Sequence, residues 1–194
     1  MTARITLPCP ETMTSDQRAV HDAVLRGPRG KLVGPLRAAL LNADLADRWQ
    51  KLGEILRYHT SLPKRITELA ILVTARRWNS DLEWQIHATA AAEGGLDAAI
   101  IDAIRIAQPP RFEAADEAET YEFSRQIQLT GKVDDLTYGA VKDRWGDVGV
   151  VELTAVIGYY TMVAMTLNAH HIPLPDGCNP TFDGTQGLTA MPAV

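Results

Sequence analysis

The chain has 194 residues and a mass of 21.2 kDa, with 46% hydrophobic and 22% charged residues, a formal net charge of −5 and a pI near 5.5. A chain of this length buries roughly 70% of its unfolded surface without metal or disulfide staples, and the composition argues against disorder. The acidic balance excludes a phosphate-backbone footprint, so nucleic acid is not an expected partner. The two cysteines, Cys9 and Cys178, exclude a disulfide scaffold or a Cys-based zinc site and fit a reducing cytoplasm.

The N-terminal MTARITLPCPETM has no apolar run suited to a signal peptide, and only a marginal strand signal at Arg4–Leu7. Thr14 with Gln17 forms a capping box ahead of Ala19, Val20, Ala23 and Val24 at helical spacing. Arg26-Gly27-Pro28-Arg29-Gly30 ends that helix, and Gly34-Pro35 opens a short one through Leu41. A further helix is predicted from about Asp44 to His59, with Leu45, Trp49, Leu52 and Leu56 on one stripe. Ser61-Leu62-Pro63 reads as a stop and a new start, and Ile66, Leu69, Ala70 and Val73 mark a helix over Lys64–Arg77. Trp78-Asn79 breaks the run, and Ser80-Asp81-Leu82-Glu83 reads as a second capping box for a helix ending at Gly94-Gly95. Helices then follow over Leu96–Ala107, Glu113–Leu129 and Asp134–Trp145, with Gly131 and Gly146 as stops, and a long apolar helix from about Val148 to His171. Pro173 and Pro175 end that helix and lead into an irregular, extended tail. The reading is all-α: one domain over 1–172 and a tail over 173–194.

Between Glu152 and His170 the run LTAVIGYYTMVAMTLNA carries no charge. It sits at the short edge of the membrane-spanning range, contains Gly158, two tyrosines, several threonines and Asn168, and lacks Lys/Arg on its C-terminal side. A helix buried inside a protein or oligomer is expected, not a membrane span.

No glycine-rich phosphate loop, HExxH, GxSxG or CxxC is present. The constellation that stands out is Glu68, Ser80, Glu83 and His87. Glu83 and His87 lie four residues apart on one helix face. Ser80 as cap places Glu83 in the first turn, where the helix dipole favours an ionised carboxylate. A carboxylate beside an imidazole fixes its tautomer and raises its basicity, which suits proton transfer near neutral pH. Glu68 reaches the same place if the two helices form a hairpin. Each residue also has a plainer explanation: Glu83 as a capping-box residue, Glu68 paired with Lys64 or Arg65, and His87 as an ordinary satisfied histidine.

The run LPKRITELAILVTARRWNSDLEWQIHATAAAEGG resembles the core of the carboxymuconolactone decarboxylase superfamily, whose all-helical members include the alkylhydroperoxidase D proteins. In the peroxidase branch a Glu is followed at +12 and +15 by two cysteines and at +19 by a His. Here Glu68 is followed by Ser80, Glu83 and His87 at those positions, so Glu and His match and both cysteines are replaced. The flanks LRAALLNADLADRWQKLGEILRYHTSLP and VVELTAVIGYYTMVAMTLNAHHI are similar to the longer members, and the resemblance covers about residues 27–175.

Peroxide reduction in the cysteine branch needs a thiolate and a resolving thiol, and Ser80 can form neither a sulfenic acid nor a disulfide. Decarboxylation of a 4-carboxymuconolactone-like acid needs no metal, thiol or cofactor. The resemblance thus implies a cofactor-independent decarboxylase in which His87 is the general acid/base, Glu83 orients it, and Glu68 assists or holds a water. Arg65 is expected to meet a substrate carboxylate and Trp84 to wall the pocket, with Ser80 beside them. The alternatives are an alkylhydroperoxidase-type antioxidant protein dependent on Cys9 or Cys178, and a non-catalytic oligomeric binding protein of the same fold. Glu152 and His171 repeat the 19-residue spacing of Glu68 and His87, a weak internal echo without the Asn-Ser-Asp break. One long helix is therefore expected there, with His170 and His171 at a subunit contact or pocket rim. The uncharged face of that helix predicts a homo-oligomer, and members of the family commonly form dimers, trimers or hexamers.

Overall fold

The computed structural model describes residues 2–182 and 187–194. Eight helices are present among the described residues: α1 (Ser15–Arg26), α2 (Pro35–Ala39), α3 (Ala43–Tyr58), α4 (Lys64–Arg77), α5 (Asp81–Glu93), α6 (Ala98–Arg105), α7 (Ala115–Thr130) and α8 (Asp135–Ala169). At the centre lies α4, in which every residue from Ile66 to Ala75 is buried. It packs against α5, α6, α7 and α8, while α1 and α2 lie against α3, and α2 and α3 also meet α8. A helix enclosed on all sides needs apolar residues all round, which is why α4 is richer in them than a single stripe requires.

Local signals account for most boundaries. The Thr14 side chain accepts from Gln17 N at 3.3 Å and Gln17 Oε1 accepts from Thr14 N at 3.0 Å, closing the capping box of α1. Asn42 and Asp134 cap α3 and α8 through Leu45 N and Thr137 N. Gly131 ends α7 in the left-handed region at φ 72°. Gly146, at φ 68° and ψ −178°, breaks α8 into two helical stretches, 135–145 and 147–169, where the sequence places a stop.

Two expectations are corrected. Arg4–Leu7 forms no strand; Arg4 instead donates its backbone N–H to His170 O at 2.9 Å, tying the N-terminal segment to the end of α8. The buried stripe of α3 is Ala46, Trp49, Gln50, Gly53 and Leu56, with Leu45 and Leu52 turned outward. The edge-on packing of Trp49 against Tyr159 of α8, with ring centroids 6.4 Å apart, goes with that rotation. The tail is irregular where it is described, with residues 183–186 outside the described residues, but it is firmly docked. Phe182 and Met191 are buried, Asp81 Oδ1 accepts from Thr181 N and Phe182 N, and Tyr121 donates to Pro192 O at 2.7 Å.

By length and composition α8 passes for a membrane-crossing helix, yet half of its most apolar stretch is buried against the rest of the protein. Glu152 and His171 build no second site. Glu152 Oε2 accepts from Ser61 N and Ser61 Oγ, whereas His171 lies just past the helix end, about 28 Å along the axis for 19 residues at 1.5 Å each. His170 lines a surface groove with Ile5, Leu45 and Trp49.

Candidate functional site

The turn Trp78–Ser80 folds α5 back along α4. Asn79 takes the left-handed conformation at φ 49°, one that Asn tolerates better than most residues. Its side chain is held by the tail: Asn79 Nδ2 donates to Gly187 O and Asn79 Oδ1 accepts from Thr189 Oγ1. This hairpin brings Glu68 of α4 and His87 of α5 together, with Glu68 Oε2 2.6 Å from His87 Nδ1. Glu68 is 3% exposed and His87 4%. An ionised carboxylate only accepts, so Nδ1 carries the proton, and Nε2 is the ring nitrogen left free for a ligand. The edge of the ring meets Tyr160 of α8, with centroids 4.8 Å apart and planes at 82°.

Glu83, one turn before His87, is 2% exposed, and neither carboxylate oxygen has a hydrogen-bond partner. The Ser80 hydroxyl is likewise buried and unpaired. The expected capping box is therefore absent, because Glu83 turns inward instead of back toward the helix start. Burial pushes the Glu83 carboxyl well above the usual carboxylate range. The dipole at the helix start is thus outweighed at Glu83 by desolvation, which favours the neutral acid. Burial also raises the Tyr160 hydroxyl far above its ordinary value, so it stays a neutral phenol.

Glu83 and His87 share a cavity of about 110 Å³, closed by Leu82 and Ile86 of α5 and by Tyr159, Tyr160, Val163 and Leu167 of α8. Arg29 and Lys31 from the α1–α2 loop, and Arg57 from the last turn of α3, complete its lining. The cavity is small for a drug-sized ligand and suits a compact metabolite.

Other expected positions lie elsewhere. Arg65 is held by α7, with Nη2 2.6 Å from Asp116 Oδ2 and Nη1 2.9 Å from Glu117 Oε1, and does not line the cavity. Trp84, a residue on from Glu83 and so about 100° around α5, packs on Phe182 at 5.5 Å in a separate apolar cluster. Ser80 is buried beside the hairpin turn but is not part of the cavity wall. Glu83 does not bond to the imidazole; Glu68 does, so the orienting contact belongs to the residue expected only to assist. Tyr159, Tyr160, Arg29, Lys31 and Arg57 were not singled out as site residues. Two hints are visible in the sequence: the paired tyrosines inside the uncharged run and the basic character of the Arg26–Lys31 loop.

No family model matches the chain, and no curated protein matches it significantly. Solved structures do. An uncharacterized peroxidase-related protein from Silicibacter sp. TM1040 superposes with a TM-score of 0.71 at 13% identity, over 90% of this chain and 92% of that one. An alkylhydroperoxidase AhpD core protein from Ralstonia eutropha JMP134, also an uncharacterized peroxidase-related protein, gives 0.72 at 13% identity over 90% and 93%. The fold is alkylhydroperoxidase D-like. Likeness at this identity carries the architecture, and the chemistry rests on the residues of the cavity.

Proposed function

We propose that the protein is a cofactor-independent proton-transfer enzyme of the carboxymuconolactone decarboxylase type, acting on a small carboxylated lactone or related acid. The observation that supports this reading is a single cavity wall bearing both His87, buried and bonded to Glu68, and Glu83, buried and unpaired, its neutral form favoured by burial. A carboxyl kept neutral by an apolar surrounding donates a hydrogen bond at neutral pH.

In the proposed reaction the bond between the ring carbon and the substrate carboxylate breaks, and carbon dioxide leaves. The electron pair passes into the unsaturated lactone as an enolate, whose oxygen accepts a hydrogen bond from Glu83. The carbon that lost the carboxylate becomes part of a new double bond, and protonated His87, its charge balanced by Glu68, delivers the Nε2 proton to the enolate carbon next to the lactone carbonyl; solvent then restores it. The net change is one proton taken up and one carbon dioxide released. An alkylhydroperoxidase-type activity would instead fall to Cys9 or Cys178, both exposed and neither lining the cavity; it would disappear in the C9S/C178S variant. We also propose self-association through α8, where Val148, Val151, Thr154, Gly158, Met162 and Met165 form an exposed, largely apolar stripe at three- and four-residue spacing. The test of the catalytic reading is carbon dioxide release from 4-carboxymuconolactone: H87A loses turnover while its melting temperature stays near that of the wild type, and equal turnover in H87A overturns it.

A further inference from the structure

With Arg65 committed to Asp116 and Glu117, the group that recognises a substrate carboxylate must lie elsewhere. We infer that Arg29 and Arg57, with Lys31 at the mouth, form the anion-binding side of the cavity and select a carboxylate-bearing substrate. This deepens the proton-transfer reading of the same cavity and rests on it.

The three cations come from outside the α4–α5 hairpin, and among the described residues none has a carboxylate within 4 Å. Their concentration around one cavity stands out in a chain of net charge −5. Glu83 is the acidic residue of the lining, and burial favours its neutral form, so it is poorly suited to offset this charge. Arg29 is half-buried, its Nε is enclosed without a hydrogen-bond partner, and its Nη2 donates to Tyr159 Oη at 3.3 Å. A guanidinium presents its donors in a planar fork, so one edge anchored on a phenol leaves other donors for a carboxylate. Arg57 is also half-buried and lies over the Tyr58 ring, 5.4 Å from its centroid.

The seat of Arg29 is built into the backbone. Gly53 of α3 faces it, and a Cβ there would fall 2.2 Å from Arg29 Nη2 and 2.0 Å from Tyr159 Oη. Only a residue without a side chain leaves room for the arginine and tyrosine to meet at that point. An arginine held in place, short of acceptors and beside a proton-transfer pair, fits a bound anion better than it fits a purely structural contact.

The test is calorimetric titration of the full chain with maleate, a small unsaturated dicarboxylate, and with its dimethyl ester. Maleate is expected to bind the wild type, at least tenfold more weakly to R29Q and to R57Q, and the ester not at all. R29K serves as the second variant at the seated position, keeping the charge but losing the fork, and is expected to fall between R29Q and the wild type. Thermal melting of each variant shows that it is folded. No binding of maleate to the wild type, equal binding to R29Q and R57Q, or equal binding of the ester overturns the inference. Binding is read without turnover, so this outcome is separate from that of the H87A assay.

Discussion

Glu68 and His87, nineteen positions apart on two helices, meet in a single 2.6 Å hydrogen bond between almost fully buried side chains. Replacing Glu68 by Gln keeps an acceptor for Nδ1–H but removes the charge that balances a protonated imidazole. E68Q is therefore expected to lower kcat by about tenfold or more with little change in fold. E68A, which leaves Nδ1 buried and unpaired, is expected to cost about 1–3 kcal/mol of stability as well. Steady-state kinetics and urea unfolding separate the two effects.

Glu83 gives the protein a pH-dependent stability of known sign. A carboxyl whose pKa is raised by folding holds its proton more tightly in the native chain than in the unfolded one. Its contribution is complete below the unfolded value of about 4.3 and is lost as pH rises through the folded value. The neutral substitution E83Q removes this dependence. Urea midpoints measured from acidic to alkaline pH should show E83Q gaining on the wild type as pH rises.

That behaviour also shows where local sequence rules stop. Ser80-x-x-Glu83 has the spacing of a capping box, and the equivalent Thr14–Gln17 pair forms one. At Glu83 the local rule is overridden: the side chain points into the cavity that residues of α2 and α8 help to line instead of back toward the helix start. The helices themselves were legible from apolar periodicity and from Gly and Pro punctuation, down to the break at Gly146. The meeting of Glu68 with His87 was legible from a spacing that spans one hairpin. The partners of Arg65, the cations around the cavity and the docking of the tail were not, because each joins elements distant in sequence, beyond the reach of any local pattern. Nothing in the local pattern near Arg65 signals Asp116, and nothing near His87 signals Arg29.

The contact of Gly53 with Arg29 and Tyr159 makes a sharp contrast with Gly139. G53A puts a methyl group into atoms already in place and is expected to destabilise by about 1–3 kcal/mol. At Gly139, in the first stretch of α8, a Cβ meets nothing within 4 Å, so G139A is expected to stabilise by about 0.5–1 kcal/mol. Thermal and urea denaturation of the two variants checks both signs.

The exposed stripe of α8 predicts that the protein is at least dimeric in solution. Val151, 68% exposed, and Met165, 47% exposed, lie on it. V151E and M165E are expected to reduce the assembly without unfolding the protomer, as read by analytical ultracentrifugation and circular dichroism. A wild-type monomer removes this part of the account.

The central claim is that this cavity moves a proton onto carbon without a thiol. The most direct measurement is decarboxylation of 4-carboxymuconolactone in deuterated water, followed by mass analysis of the product. Carbon dioxide release with one deuterium at the ring carbon next to the lactone carbonyl, both lost in H87A, is the predicted result. Absence of release, or release and labelling that persist unchanged in H87A, contradicts the claim.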